Sequence, residues 1–249
     1  MYRLGNNRCK IEPHDGRRTQ ETLSLKGLSL SDEALRSYEI YAALLKEWNG
    51  KFNLTAIDEK EEVYEKHFLD CLIPLTLAKV SGNICDVGSG AGCPGLVWAI
   101  ADPSLKVTLI EPTGKRCTFL EEVKKELSLA NTEILNRRAE DCRDLRECYD
   151  IVTARAVANL SLLAELCVPL VKPGGTFLPM KGAKGEAELE EAKYALKKLG
   201  CTKNTLLSYT LYNKEERSLI LSEKTGTTPA KYPRNYGQIK KSPLKAKVL

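Results

Sequence analysis

The 249-residue chain has no apolar run approaching the ~18 residues that a membrane span needs. Its first basic residues, Arg3, Arg8 and Lys10, are not followed by the apolar stretch of a secretory signal. It has only two histidines and no Cys-x-x-Cys pair, which argues against a zinc site. The nine cysteines are odd in number and scattered, and several sit inside apolar runs where a reduced thiol acts as a small hydrophobe. No internal repeat or low-complexity tract occurs. Finally, no acid follows Lys224, whereas seven basic residues do from that position on: Lys224, Lys231, Arg234, Lys240, Lys241, Lys245 and Lys247. The net charge of +5 is therefore concentrated at the C-terminal end, and the remainder is slightly acidic. Together these absences predict a cytoplasmic, reduced, metal-free protein. The basic end points to nucleic-acid phosphate as a partner, unless it is only a solvated tail.

What is present is organised around Asn83–Gly95, Asn-Ile-Cys-Asp-Val-Gly-Ser-Gly-Ala-Gly-Cys-Pro-Gly. The apolar Ile84–Val87 reads as a buried strand, broken by a glycine turn, with a helix running from Pro94 through Leu96–Ala101. Strand, loop and helix predict a row of free backbone N–H groups beside a cofactor-sized site. Upstream, Ser31 caps a helix whose Leu35, Tyr38, Tyr41, Leu45 and Trp48 form one apolar face. A second helix is expected over about 59–69, carrying Val63 and His67 and followed by Asp70. Downstream, strands are expected at 106–111, 132–136, 151–154 and 176–181, alternating with helices at 115–127, 160–171 and 186–199. The apolar segments 205–211 and 218–221 then form a hairpin across Asn213–Glu216. The expected boundaries are a loose basic extension (1–28), a helical cap (29–80), an α/β domain (81–223) and a basic tail (224–249). All belong to one domain.

Gly90, Gly92 and Gly95 satisfy G-x-G-x-x-G, which keeps a nicotinamide dehydrogenase as a rival. Against it stands Asp86, placed before Asp86-x-Gly88-x-Gly90, because a fixed negative charge suits a sulfonium and repels a pyrophosphate. Pro94 removes a donor that a pyrophosphate would want, and there is no second nucleotide-binding half. Glu111 closes the second strand and can hold two ribose hydroxyls. Asp-x-Gly-x-Gly with that acid is the signature of S-adenosylmethionine-dependent methyltransferases. Arg138-Ala139-Glu140-Asp141, after the third strand, lies where such enzymes contact adenine.

The chain resembles the bacterial 16S ribosomal RNA guanine-N7 methyltransferases, the glucose-inhibited division protein B family. The resemblance is carried by Trp48-Asn49, Lys51–Ile57, His67–Leu72, Asp86–Gly95 and Lys115–Leu120. It continues through Arg138–Glu140, Thr153–Ala158, Lys181-Gly182 and Lys231–Arg234. It implies a class I, Rossmann-like α/β fold with a mostly parallel seven-stranded sheet, an antiparallel last hairpin and an N-terminal helical cap. The implied cofactor is S-adenosylmethionine, held by Asp86, Gly88, Gly90, Cys93, Glu111, Ala139, Glu140 and Arg155. Cys93 departs from the bulkier apolar residue more usual there. The implied partner is 16S rRNA in the small ribosomal subunit, and a monomer is the default.

The chemistry is compatible. The residues after the fourth strand are Thr153-Ala154-Arg155-Ala156, not the Asn/Asp-Pro-Pro-Tyr/Phe of exocyclic amine methylation. The Pro-Cys or Thr-Cys of carbon-5 methylation is missing. The Lys-Asp-Lys-Glu set of ribose 2′-O methylation is at best represented by Lys181. Guanine N7 carries a lone pair and no proton, so direct in-line transfer requires no general base. Arg155, Arg138 and Lys181 are expected to meet phosphate or the guanine O6 edge, and Asn53, His67 and Asp70 to close over the base. On this reading Arg155→Ala abolishes transfer and leaves the fold intact. The alternatives are a ribose 2′-O methyltransferase, an enzyme acting on small molecules or protein, and a non-catalytic RNA-binding assembly module.

Overall fold

A computed structural model of the protein describes residues 16–57 and 59–246. Among them, seven strands form one sheet in the order β3-β2-β1-β4-β5-β7-β6. The strands are β1 (Asn83–Val87), β2 (Lys106–Ile110), β3 (Thr132–Leu135), β4 (Tyr149–Arg155), β5 (Val171–Gly182), β6 (Cys201–Thr210) and β7 (Glu216–Lys224). The first five are mutually parallel. β7 runs antiparallel to β5 and β6. The strand order reverses between β1 and β4, so the carboxyl ends of these two strands flank the crevice where open α/β sheets bind ligands.

The helices are α1 (Gly16–Leu25), α2 (Asp32–Phe52), α3 (Lys60–Glu62), α4 (Asp70–Leu77), α5 (Gly95–Ala101), α6 (Gly114–Glu126), α7 (Leu160–Cys167), α8 (Gly185–Leu199) and α9 (Tyr236–Lys241). A π-helical segment, Val63–Leu69, joins α3 to α4 without a break. Two apolar cores lie on the sheet. One gathers α2, the π segment, α4, α5 and α6, with Trp98, Tyr41, Phe68 and Phe119 fully buried. The other gathers α7, α8 and α9. No described helix is long and apolar enough to cross a membrane.

α2 starts as expected, with the Ser31 side chain accepting from Ala34 N–H at 3.1 Å. Its aromatic stripe binds more than apolar surface. The Tyr38 hydroxyl donates to Val97 O at 2.8 Å, and the Tyr41 hydroxyl donates to Ala91 O. Trp98 Nε1 donates to Cys71 O at 2.6 Å. Three side-chain bonds thus tie the helical cap to the loop and helix after β1.

Both chain ends differ from expectation. Residues 1–15 lie outside the described residues, but Gly16–Leu25 is helical and buries Leu23 and Thr19. The basic segment is also built in. Lys224 ends β7 fully buried, where Nζ donates to Glu147 Oε1 at 2.9 Å, Val168 O at 3.1 Å and Val171 O at 2.6 Å. Tyr232 and Ile239 are buried, and Arg234 pairs with the buried Glu165 at 2.6 Å. Arg146 donates to Tyr232 O and Thr228 O from beneath. Exposed charge remains on Lys231, Lys240, Lys241 and Lys245, and Lys247 lies outside the described residues.

Lys224→Met should leave Glu147 and two carbonyls without their cation. Because Glu147 is partly exposed, the expected loss is about 2–3 kcal/mol, or roughly 5–10 °C in Tm. An unchanged melting curve would contradict the assignment.

Candidate active site

The glycine loop is not a row of free donors. Gly88 N–H donates to Ile110 O at 2.8 Å, Gly92 N–H to Ser89 O at 2.7 Å and Leu96 N–H to Gly92 O at 2.8 Å. Gly90 N–H donates to Glu111 Oε2 and Gly95 N–H to Asp86 Oδ2, both at 2.9 Å. The loop and helix start satisfy themselves, which leaves little for a pyrophosphate. Two glycines show what the loop is built for. Gly90 has φ +57°, and a Cβ there would meet only Gly88 O at 3.9 Å, so its face is open. Gly92, at φ +93°, would drive a Cβ into the Tyr41 hydroxyl and Leu96, so it serves packing.

Asp86 differs from the expected fixed anion. It is 0 % exposed, Oδ1 has no protein partner, and burial pushes its carboxyl up to about 7 despite the Gly95 hydrogen bond. It clamps the start of α5 through the Gly95 N–H. Glu111, at 1 % exposure, bonds Gly90 N–H and also accepts from Thr113 N–H at 2.9 Å. Each carboxylate oxygen retains acceptor capacity for a hydroxyl. Ala139 and Glu140 sit in a 3₁₀ turn just after β3, with Ala139 buried and Glu140 half-buried. Cys93 is buried rather than in an open trough. The open Gly90 face, the Glu111 acceptors and the turn at Ala139–Glu140 line up along the carboxyl ends of β1, β2 and β3. That set fits an adenosine-bearing cofactor.

Arg155, at the end of β4, is the junction between sheet and cap. Nη1 donates to Lys66 O at 2.6 Å and Asp70 Oδ2 at 3.1 Å, and Nη2 to His67 Nδ1 at 2.9 Å. With Nδ1 accepting, the ring hydrogen lies on Nε2, 3.1 Å from Thr55 Oγ1. Asp70, 3 % exposed, also accepts from Tyr209 Oη at 2.9 Å and meets Arg217 Nε at 3.5 Å. His67 and Asp70, three residues apart, both reach the same guanidinium. Lys181 Nζ is held by Ala158 O and Glu188 Oε2, both at 2.7 Å, and so is not a free cation. Asn53 is the left-handed cap of α2, exposed, with its N–H on Asn49 O. Arg138 is exposed before the Ala139 turn.

A cavity of about 500 Å³ opens beside this junction, lined by Thr55, His67, Asp70, Arg155, Met180, Lys181, Glu215 and Arg217 among others. Sequence reasoning named four of these and placed Asn53 there, which does not line it. It missed Thr55, Met180, Glu215 and Arg217. Thr55 falls within the Lys51–Ile57 stretch; Arg217 and Glu215 carry no sequence signal, because the hairpin brings them in from the far end of the sheet.

Residues 34–220 match the family described as GidB, rRNA small subunit methyltransferase G. The chain belongs to that family. Two relatives carry the name ribosomal RNA small subunit methyltransferase G. Those of Bacillus cereus (strain ZK / E33L) and Bacillus thuringiensis (strain Al Hakam) are each 46% identical over 231 residues, 90% of this chain and 97% of theirs. Among solved structures, the precorrin-6y C5,15-methyltransferase of Geobacter metallireducens GS-15 shares 14% identity with a TM-score of 0.48, covering 62% of this chain and 87% of that one. Family and sheet order together make the chain a methyltransferase of the class I, Rossmann-like fold, and the dehydrogenase rival falls.

The junction revises what Arg155→Ala should do. The change takes the nearer cation from Asp70, the donor from His67 Nδ1 and the partner from Lys66 O, so it should cost about 3 kcal/mol of stability as well as activity. A thermal melt identical to wild type would refute the junction. Asp86 sets a pH effect. A carboxyl with a raised folded-state pKa keeps a proton that the unfolded chain has released, so stability falls as pH rises from about 4 to about 7 and then levels off. Asp86→Asn retains an acceptor for Gly95 and removes that component. Its Tm relative to wild type should climb between pH 5 and 8, by the equivalent of on the order of 2–4 kcal/mol. A pH-independent difference would contradict it.

Proposed function

We propose that the enzyme methylates N7 of a guanine in 16S rRNA of the small ribosomal subunit, with S-adenosylmethionine as cofactor. It acts in the cytoplasm as a monomer. The observation that carries this is the state of the titratable side chains around the cavity. His67 is held between Arg155 and Thr55, and Asp70 among Arg155, Tyr209 and Arg217. Arg217 holds Glu215 below the usual carboxylate range through a hydrogen bond at 2.5 Å. Lys66 pairs with Glu62, and Lys181 with Glu188. A base flanked in this way is poorly suited to taking a proton from a ribose hydroxyl. Methylation at N7 removes no proton, so a cavity with its acids and bases locked is adequate for it.

The cofactor supplies a methyl group on a sulfonium. Gly88 and Gly90 would give it backbone without side chains, Glu111 would accept from its ribose hydroxyls, and Ala139 and Glu140 would hold its adenine. The cavity of about 500 Å³ is large enough for a nucleotide turned out of its strand. Catalysis then rests on holding the guanine in line and excluding water. The exposed Lys231, Lys240, Lys241 and Lys245 offer phosphate contacts.

Small-subunit RNA incubated with the enzyme and methyl-tritiated S-adenosylmethionine should carry label in a nucleotide cleaved by borohydride and aniline, the mark of N7-methylguanine. Label in a ribose would overturn the reading in favour of 2′-O transfer. Cofactor binding without any label would favour the assembly module.

A further inference from the structure

Residues 156–159, the loop between β4 and α7, touch both halves of the site. Ala156 lines the cavity beside Arg155. Val157 lies over the glycine loop, where a Cβ built on Gly88 would meet Val157 Cγ2 at 2.7 Å. Val157 is exposed and belongs to neither apolar core. Ala156 has φ +57°, a left-handed conformation that residues with a Cβ rarely adopt and keep only where their surroundings hold it. The loop is thus a partition between the cavity and the glycine loop, and apolar packing does not fix it.

The grip comes from α8. Glu188, in the first turn of that helix, accepts from the Leu160 N–H through Oε2 at 2.8 Å. Leu160 is the first residue of α7. The same oxygen accepts from Lys181 Nζ at 2.7 Å, and that ammonium donates in turn to Ala158 O at 2.7 Å. One carboxylate oxygen therefore holds the loop at a carbonyl, through Lys181, and at the amide two residues later. The Asn159 side chain closes the corner by accepting from Leu162 N–H at 3.1 Å. Glu188 itself is not among the residues lining the cavity.

We propose that Glu188 is a positioning residue for cofactor binding, acting through Lys181 and Leu160 to set residues 156–159 as the wall between cofactor and base. The proposal rests on the cofactor reading given above, in which Gly88 belongs to the S-adenosylmethionine site. A wall already in place costs the ligand nothing to order. A wall set for only about a tenth of the time lowers the apparent affinity about tenfold. Glutamine at position 188 keeps an oxygen able to accept from both donors, whereas alanine keeps none.

Two measurements on the full chain test this. In the first, hydrogen exchange is followed without cofactor in peptides spanning residues 156–162. In Glu188→Ala the Leu160 amide should exchange faster, with the interiors of α7 and α8 unchanged. In the second, calorimetric titration with S-adenosylmethionine should show Kd raised about tenfold in Glu188→Ala, with KM for the cofactor rising in step and kcat at saturating cofactor within about twofold of wild type. Glu188→Gln should stay close to wild type in both. Wild-type exchange or wild-type affinity in Glu188→Ala would overturn the proposal. Exchange accelerated throughout α7 and α8 would overturn it in favour of a general loss of stability. A glutamine variant as defective as the alanine one would overturn it in favour of charge at the helix start. A wild-type chain that binds no S-adenosylmethionine would overturn the cofactor reading and this proposal with it, whereas equal binding by wild type and Glu188→Ala overturns this proposal alone.

Discussion

The structure depends on one guanidinium. Arg155 emerges from the end of β4 and has its donors taken by a backbone carbonyl, a carboxylate and an imidazole from the helical cap. A cation at 16 % side-chain exposure is costly unless paired. Here the pairing joins two parts of the chain 85 to 89 residues apart. Remove the charge and the cap loses its main polar attachment to the sheet; remove the cap and a charge is left at the mouth of the site. Tyr38, Tyr41 and Trp98 add bonds around it, but between neutral groups.

The parts of this arrangement legible in the sequence were those marked by local chemistry. Ile84–Val87 and the glycines that follow could hardly be anything but strand and loop, and Ser31 before Asp32-Glu33 signals its helix. The parts that were not legible depend on distant partners. Lys224 counts as tail charge in any linear reading, because Glu147 is 77 residues away. α1 is polar apart from two leucines, and the burial of Thr19 and Leu23 is announced by no apolar stripe. α4 is so thoroughly apolar that it shows no stripe, so the periodicity stops at residue 69 although the helix continues to Leu77. After Cys201, β6 continues through Thr202, Lys203 and Asn204, whose polarity suits an edge strand and hides it.

The same contrast applies to the site. Glu111 and the Ala139–Glu140 turn sit where spacing put them, at the ends of successive parallel strands. Asp86 was recognised for its charge, yet its surroundings press it toward the neutral form, and its service is to the Gly95 N–H. Lys181 was read as a cation for RNA and is tied to Glu188. In both cases the residue type was visible and the partner was not.

The π-helical segment adds a constraint of another kind. Asp70 N–H reaches back to Glu65 O, five residues earlier, so the helix carries one residue more than a regular spiral would hold over that span. Each residue of an α-helix turns its successors by about 100°. A deletion within Val63–Leu69 would restore a regular spiral, but it would swing everything on one side of the gap by that angle, separating His67 from Asp70 or turning α4 out of its core. Length in this stretch is therefore frozen while composition is not. Over evolutionary time, descendants of this chain can exchange side chains along the segment far more easily than they can gain or lose a residue in it.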